Sequence, residues 1–74
     1  MKNVLEILTD ILPESDFSGS NDYINDGLLD SFDVVTLVND LEKNYGISIE
    51  GVDILPDNFR NAVAIETLLQ KYGV

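Results

Sequence analysis

Ser31 is the side chain that comes closest to a nucleophile in this sequence. It stands at the start of a predicted helix, directly after Asp30. A serine hydroxyl needs a neighbouring base, usually His, to become nucleophilic, and the chain has no His and no Cys. Lys43 lies at the other end of the same predicted helix. We therefore expect that Ser31 is not a self-activated catalytic serine and that the protein is not an enzyme.

An acidic stretch from Asp22 to Asp33 precedes and enters that helix. A calcium-binding EF-hand loop needs oxygen ligands at positions 1, 3, 5 and 12 around a Gly at position 6. With Gly27 at position 6, Asp22 and Asp26 fit, but Ile24 stands at position 3 and cannot ligate. The sequence therefore favours a solvated acidic loop over a metal site, with a weak divalent-cation site as the alternative.

Length and charge narrow the class of protein. The 74 residues are enough for one domain, residues 1–74, and 45% of them are hydrophobic, which is enough for a core. Fourteen Asp and Glu against four Lys and Arg give a net charge of -10, which repels nucleic acid and anionic membrane surfaces and attracts basic proteins.

The chain shows no apolar run of about 18 residues that could cross a bilayer, and its first residues lead into an amphipathic pattern rather than a signal peptide. The absence of Cys also fits a reducing compartment. We therefore expect a cytoplasmic protein without a membrane partner, and a monomer.

Hydrophobic spacing predicts an all-α fold, a small bundle of three main helices plus one short helix. The helices are predicted at residues 2–12, from 30 or 31 to 45, in one short turn from 56, and from 61 to 72. In the first helix Val4, Leu8 and Ile11 form an apolar stripe, which Leu5 and Leu12 widen.

The connections between the helices follow from residue types. Residues 14–21 have no hydrophobic period and are predicted as a loop that Phe17 and Tyr23 attach to the core. Residues 47–49 are too few for a sheet and are predicted as an extended connector. Either Asp30 or Ser31 can cap the second helix, and Asp33 suits its positive end, so capping explains these two carboxylates better than acid–base catalysis does.

The second helix carries a second apolar face. Val34, Val38, Leu41 and Tyr45 recur on the predicted core side. The remaining face, predicted to bind partners, consists of Phe32, Asp33, Val35, Thr36, Asn39 and Glu42. Apolar groups ringed by carboxylates are typical of a docking surface for basic proteins. The alternative is that Phe32 and Val35 cover the ends of the bundle.

The run Gly27-Leu28-Leu29-Asp30-Ser31-Phe32, followed by an acidic helix, resembles the phosphopantetheine attachment site of acyl carrier proteins. The resemblance extends over nearly the whole chain, in the order of its helices and loops. It implies that Ser31 receives 4'-phosphopantetheine from coenzyme A through a separate phosphopantetheinyl transferase, with Asp30 as its neighbour in the motif. The thiol of that cofactor would hold an acyl or aminoacyl group as a thioester, which a chain without Cys cannot do by itself.

The same resemblance implies partners. These are an acyl- or aminoacyl-activating ligase and downstream acyltransferase or synthase enzymes, each basic where it docks on the helix that carries Phe32, Val35 and Glu42. The run from Gly27 to Phe32 looks particularly like D-alanyl carrier proteins of teichoic acid esterification. Those typically carry a Trp before the last helix, and this chain has none.

The second half of the chain looks more like stand-alone acyl or peptidyl carriers, through the run Pro56-Asp57-Asn58-Phe59-Arg60-Asn61 and the pair Ala64-Ile65. Fatty acid carriers usually show Gly-Ala-Asp-Ser-Leu at the attachment site, which differs from the run here. The resemblance implies a discrete acyl carrier protein of fatty acid or secondary metabolite biosynthesis, and this difference counts against a housekeeping role in fatty acid synthesis. The alternatives are a D-alanyl carrier protein and a non-catalytic acidic interaction module.

Overall fold

Three α-helices make up most of the regular structure. The computed structural model describes residues 2–74. It contains α1 (Val4–Ile11), α2 (Ser31–Tyr45) and α3 (Ala62–Lys71), with short 3-10 turns at Phe17–Gly19, Gly51–Asp53 and Pro56–Phe59. No strand occurs within residues 2–74. The predicted all-α bundle is confirmed, including the short turn at Pro56, while the turns at Phe17 and Gly51 were not predicted.

The first helix begins with a reciprocal pair of hydrogen bonds. The Asn3 side chain accepts from the Glu6 amide at 2.9 Å, and the Glu6 carboxylate accepts from the Asn3 amide at 3.2 Å. This arrangement satisfies two amides that a helix start leaves free. Val4 and Leu8 are buried as predicted, but Leu5 is 41% exposed and therefore does not widen the buried stripe.

The second helix ends in a left-handed residue. Gly46 has φ +65° and its amide donates to the Glu42 carbonyl at 2.9 Å. Glycine adopts this conformation without the steric cost that a side chain brings. The predicted end of the second helix at residue 45 is confirmed, and Gly46 turns the chain into the extended connector at residues 47–49.

The core forms where the three helices meet the two long connections. Leu8, Leu37, Leu41, Phe59 and Ile65 are fully buried. The loop after α1 is attached by Phe17 and Tyr23, as predicted, because both rings are buried and meet edge to face with centroids 5.1 Å apart.

The long connections also hold each other. The Asn61 side chain caps α3 by accepting from the Ala64 amide at 2.8 Å, and its amide group donates to the Asn21 carbonyl at 3.1 Å. The Tyr23 amide donates to the Arg60 carbonyl at 2.6 Å. The loop that leads to Ser31 is therefore fixed against the start of α3.

No helix among residues 2–74 is long and apolar enough to cross a bilayer.

Candidate functional site

Ser31 is the first residue of α2, and its side chain lies on the surface. The segment before it is held in place by the Tyr23 carbonyl, which accepts from the amides of Leu28 at 2.8 Å and Leu29 at 3.0 Å. Leu29 is only 2% exposed and anchors the segment in the core. Gly27 provides the turn with φ +77°. The hydroxyl of Ser31 is thus presented from a fixed backbone.

Two carboxylates form the cap of α2, and Ser31 takes no part in it. The Asp30 carboxylate accepts from the Asp33 amide at 2.8 Å, and the Asp33 carboxylate accepts from the Asp30 amide at 3.2 Å. Of the two caps that the sequence allowed, the structure uses Asp30. Because the cap is complete without it, the Ser31 hydroxyl is free for another role.

An apolar cavity of about 340 Å³ opens beside Ser31. Three parts of the chain supply its walls, namely the loop before α2, the first turn of α2 and the connection between α2 and α3. The lining residues are Ile24, Ser31, Val34, Val35, Ile54 and Pro56. Ser31 is the polar residue among them, so a group attached to its hydroxyl would have an apolar surface within reach.

The sequence did not reveal three of these lining residues. Ile24, Ile54 and Pro56 come from segments up to about 30 positions apart that only the tertiary fold brings together. The available signal was the short apolar group around Pro56, which consists of Val52, Ile54, Leu55 and Phe59.

Three of the six residues of the predicted partner face of α2 are exposed, and the other three, Asp33, Thr36 and Glu42, are half-buried. Phe32 is 77% exposed and Val35 is 57% exposed, so these side chains do not cover the ends of the bundle. Asn39 is exposed as well, and Thr36 is half-buried, with its hydroxyl donating to the Phe32 carbonyl at 3.4 Å. Exposed large apolar groups of this kind mark interaction surfaces when they cluster.

Glu42 differs from the expected exposed position. It is half-buried, and its carboxylate accepts from the Ile49 amide at 2.8 Å. This hydrogen bond attaches the connector at residues 47–49 to α2, because an extended segment without a strand partner needs side chains to satisfy its amides. Glu42 therefore stabilises the fold through this hydrogen bond. Contact of its carboxylate with a partner would compete with that bond.

The acidic stretch is engaged in local hydrogen bonds. The Asp22 carboxylate accepts from the Asn25 amide at 3.1 Å and from the Asn25 side chain at 2.7 Å. These bonds hold the pKa of Asp22 below its ordinary value. Asp26 accepts from the Ser20 hydroxyl. Within residues 2–74, no group of three or more Asp or Glu is arranged to hold a metal ion.

The chain was compared with known proteins. No family model matches it, and neither a curated protein nor a solved structure matches it. The resemblance of the run from Gly27 to Phe32 to carrier proteins therefore rests on the residues themselves and stays a prediction.

Proposed function

We propose that this protein is a discrete acyl carrier protein with 4'-phosphopantetheine attached to Ser31. The observation that carries the proposal is the surface serine at the first position of a long helix, excluded from the cap and bordered by an apolar cavity. In the attachment step the Ser31 oxygen forms a bond to the phosphorus of coenzyme A that bears pantetheine. The phosphoanhydride bond breaks, adenosine 3',5'-bisphosphate leaves, and the hydroxyl proton passes to a base of the transferase.

The residues around Ser31 fit this attachment. The first-turn amides of α2 and its dipole favour a phosphate ester at this end of the helix. The walls of the cavity, with Ile24, Val35 and Ile54, offer a surface to an apolar cargo. When bound, the cofactor would supply the thiol that holds an acyl or aminoacyl group. The chain itself exposes the hydroxyl at the first position of α2 and provides the surface around it.

The partners follow from the charge and the exposed face of α2. Phe32 and Val35 would supply apolar contacts to the transferase, the activating ligase and the downstream acyltransferase or synthase, with Thr36 and Asn39 beside them. The net charge of -10 would speed the encounter with basic docking surfaces. The proposed setting is the cytoplasm, where coenzyme A and activating enzymes are present together.

The test is the intact mass of the protein before and after incubation with coenzyme A, magnesium and a broad-specificity phosphopantetheinyl transferase. We expect the mass to rise by one phosphopantetheine in the unaltered chain and in Ser48→Ala, a matched variant at another exposed serine. Ser31→Ala should gain nothing. Its free energy of unfolding should change by no more than about 0.5 kcal/mol, because Asp30 supplies the cap.

Two outcomes would reject the carrier proposal. One is a folded, accessible protein that gains no mass, and the other is a mass gain that persists in Ser31→Ala. If the modification occurs, incubation of the modified protein with adenylating enzymes and a panel of acyl and amino acids, D-alanine included, identifies the cargo and separates a D-alanyl carrier from the others.

A non-catalytic acidic interaction module is the second candidate. The 77% exposure of Phe32 favours it, because such a side chain serves a docking protein whether or not an arm is attached. This candidate predicts a partner with a basic patch and no mass gain with transferase. Both candidates use the same face of α2, so the mass experiment decides between them.

A further inference from the structure

The connection between α2 and α3 supplies one wall of the cavity beside Ser31. Ile54 and Pro56 come from this connection and line the cavity together with Val34 and Val35 of α2. A displacement of Ile54 would therefore change the shape of the cavity. The contacts that fix this short stretch of chain thus matter for the proposed carrier site.

Asp53, the residue before Ile54, is held by α3 through a network of polar contacts. Lys71 donates to both oxygens of the Asp53 carboxylate, at 2.8 Å and 2.9 Å. The Tyr72 hydroxyl also donates to that carboxylate and accepts from the Glu50 amide at 3.0 Å. We name these four residues, Glu50, Asp53, Lys71 and Tyr72, the Asp53 latch.

The carboxylate of Asp53 is largely shielded from solvent. The Asp53 side chain is only 13% exposed, whereas that of Lys71 is 61% exposed. The Asp53 carbonyl also accepts from the Asn58 side chain at 2.7 Å, which joins the peptide bond between Asp53 and Ile54 to the turn at Pro56–Phe59. Charge-assisted hydrogen bonds of this kind are stronger than bonds between neutral groups.

Packing and a backbone hydrogen bond also hold this stretch. Ile54 is half-buried and packs against the edge of the core, and its amide donates to the Gly51 carbonyl at 3.1 Å. On the side of Asp53 the surface opens into a cavity of about 440 Å³, lined in part by Asn58, Leu68 and Lys71. The latch joins this stretch to the end of α3 through side-chain contacts, and it therefore adds to the restraint on Ile54.

We infer that Asp53 is a positioning residue, which acts through Lys71 and Tyr72 to keep Ile54 in the wall of the Ser31 cavity. Its importance for the cargo rests on the proposed carrier function, but its effect on the cavity is a property of the unmodified chain. Loosening the latch releases residues 50–54 and, through Ile54, changes the environment of Val35, which lines the same cavity.

The test compares two variants that each remove one tyrosine hydroxyl. Tyr72→Phe removes the latch contacts to Asp53 and Glu50. Tyr45→Phe is the matched control, because its hydroxyl donates to the Lys2 carbonyl at 2.8 Å, far along α2 from Ser31. Both variants are studied as unmodified protein, by amide hydrogen exchange and by the methyl resonances of Ile54 and Val35.

In Tyr72→Phe we expect the amides of Asp53 and Ile54 to exchange about fivefold faster or more relative to those of α2, because two hydrogen bonds are lost and each corresponds to about a fivefold change. The methyl resonances of Ile54 and Val35 should shift, and Asp53→Asn should show the same changes in weaker form. Tyr45→Phe should leave these resonances in place. Unchanged resonances in Tyr72→Phe, or equal changes in Tyr45→Phe, would overturn the inference.

The two proposals fail separately. If no transferase modifies the protein while the Tyr72→Phe resonances shift, the carrier function is wrong and the latch stands. If Ser31 is modified while Tyr72→Phe leaves the cavity residues unchanged, the latch is wrong and the carrier function stands.

Discussion

At the start of α2 one residue caps the helix and its neighbour does not, and the difference can be measured as a change in the free energy of unfolding. Asp30 accepts a hydrogen bond from the Asp33 amide, whereas Ser31 lies exposed beside it. Asp30→Ala leaves the amides of the first turn without their cap, so the free energy of unfolding should fall by about 1 kcal/mol. Asp30→Asn should retain most of the free energy of unfolding that Asp30→Ala loses, since an amide oxygen accepts the same bond. Urea unfolding followed by circular dichroism measures both.

Ser31→Ala is the control at this position. It should leave the urea midpoint almost unchanged, because the cap lies one residue earlier. If Ser31→Ala lowers the midpoint as much as Asp30→Ala, then Ser31 contributes to the cap and its hydroxyl is less available for modification than we propose.

At the scale of the helices, local pattern was enough to predict the structure. The spacing of Val34, Val38 and Leu41 marks the buried side of α2, and the residues at its two ends mark where it begins and stops. Such signals depend on residues within one or two turns of the same helix, so they can be recognised without knowledge of the tertiary contacts.

The cavity and the latch could not be predicted in this way. Tyr72 meets Glu50 across 22 positions of sequence, and nothing near either residue points to the other. The sequence predicts Tyr72 only as the last residue of the final helix, whereas its hydroxyl contacts Glu50 and Asp53 of the connection between α2 and α3. Glu42 shows the same limit, because its contact with Ile49 depends on where the connector runs after Gly46.

The contact between the connection and α3 should depend on pH. The hydrogen bond from Lys71, followed by that from Tyr72, holds the pKa of Asp53 below its ordinary value. A carboxyl with a lower pKa in the folded than in the unfolded chain stabilises the fold above its unfolded pKa of about 4. That contribution is lost as the pH falls through the lower, folded pKa.

The urea midpoints of the unaltered chain and Asp53→Asn, compared from about pH 7 to below pH 3, test this expectation. The advantage of the unaltered chain should be full at pH 7 and decline below about pH 4. Asp16 and Asp22 also have lowered pKa values, but they are identical in both chains and leave the difference unaffected. A difference that stays constant down to the lowest pH would show that the charge of Asp53 adds nothing.

At the scale of the whole molecule, unbalanced charge is the dominant feature. Within residues 2–74 two ion pairs form, Lys2 with Asp10 and Lys71 with Asp53, and both lysines are largely exposed. Fourteen carboxylates share a body with a radius of gyration of 11.1 Å. The Debye length is about 10 Å at 0.1 M salt, so added salt screens repulsion across much of the molecule.

The melting temperature should therefore rise with sodium chloride at pH 7. About 1 kcal/mol of relieved repulsion corresponds to roughly 4–8 °C for a domain of this size. Near pH 4.1, where the net charge approaches zero, the same salt should have little effect, which makes that pH the control. A flat or falling melting temperature at pH 7 would mean that the carboxylates are better compensated than the two ion pairs indicate. The charge that opposes folding also attracts basic proteins. If the protein is the carrier that we propose, salt should therefore also raise the KM of the transferase for it.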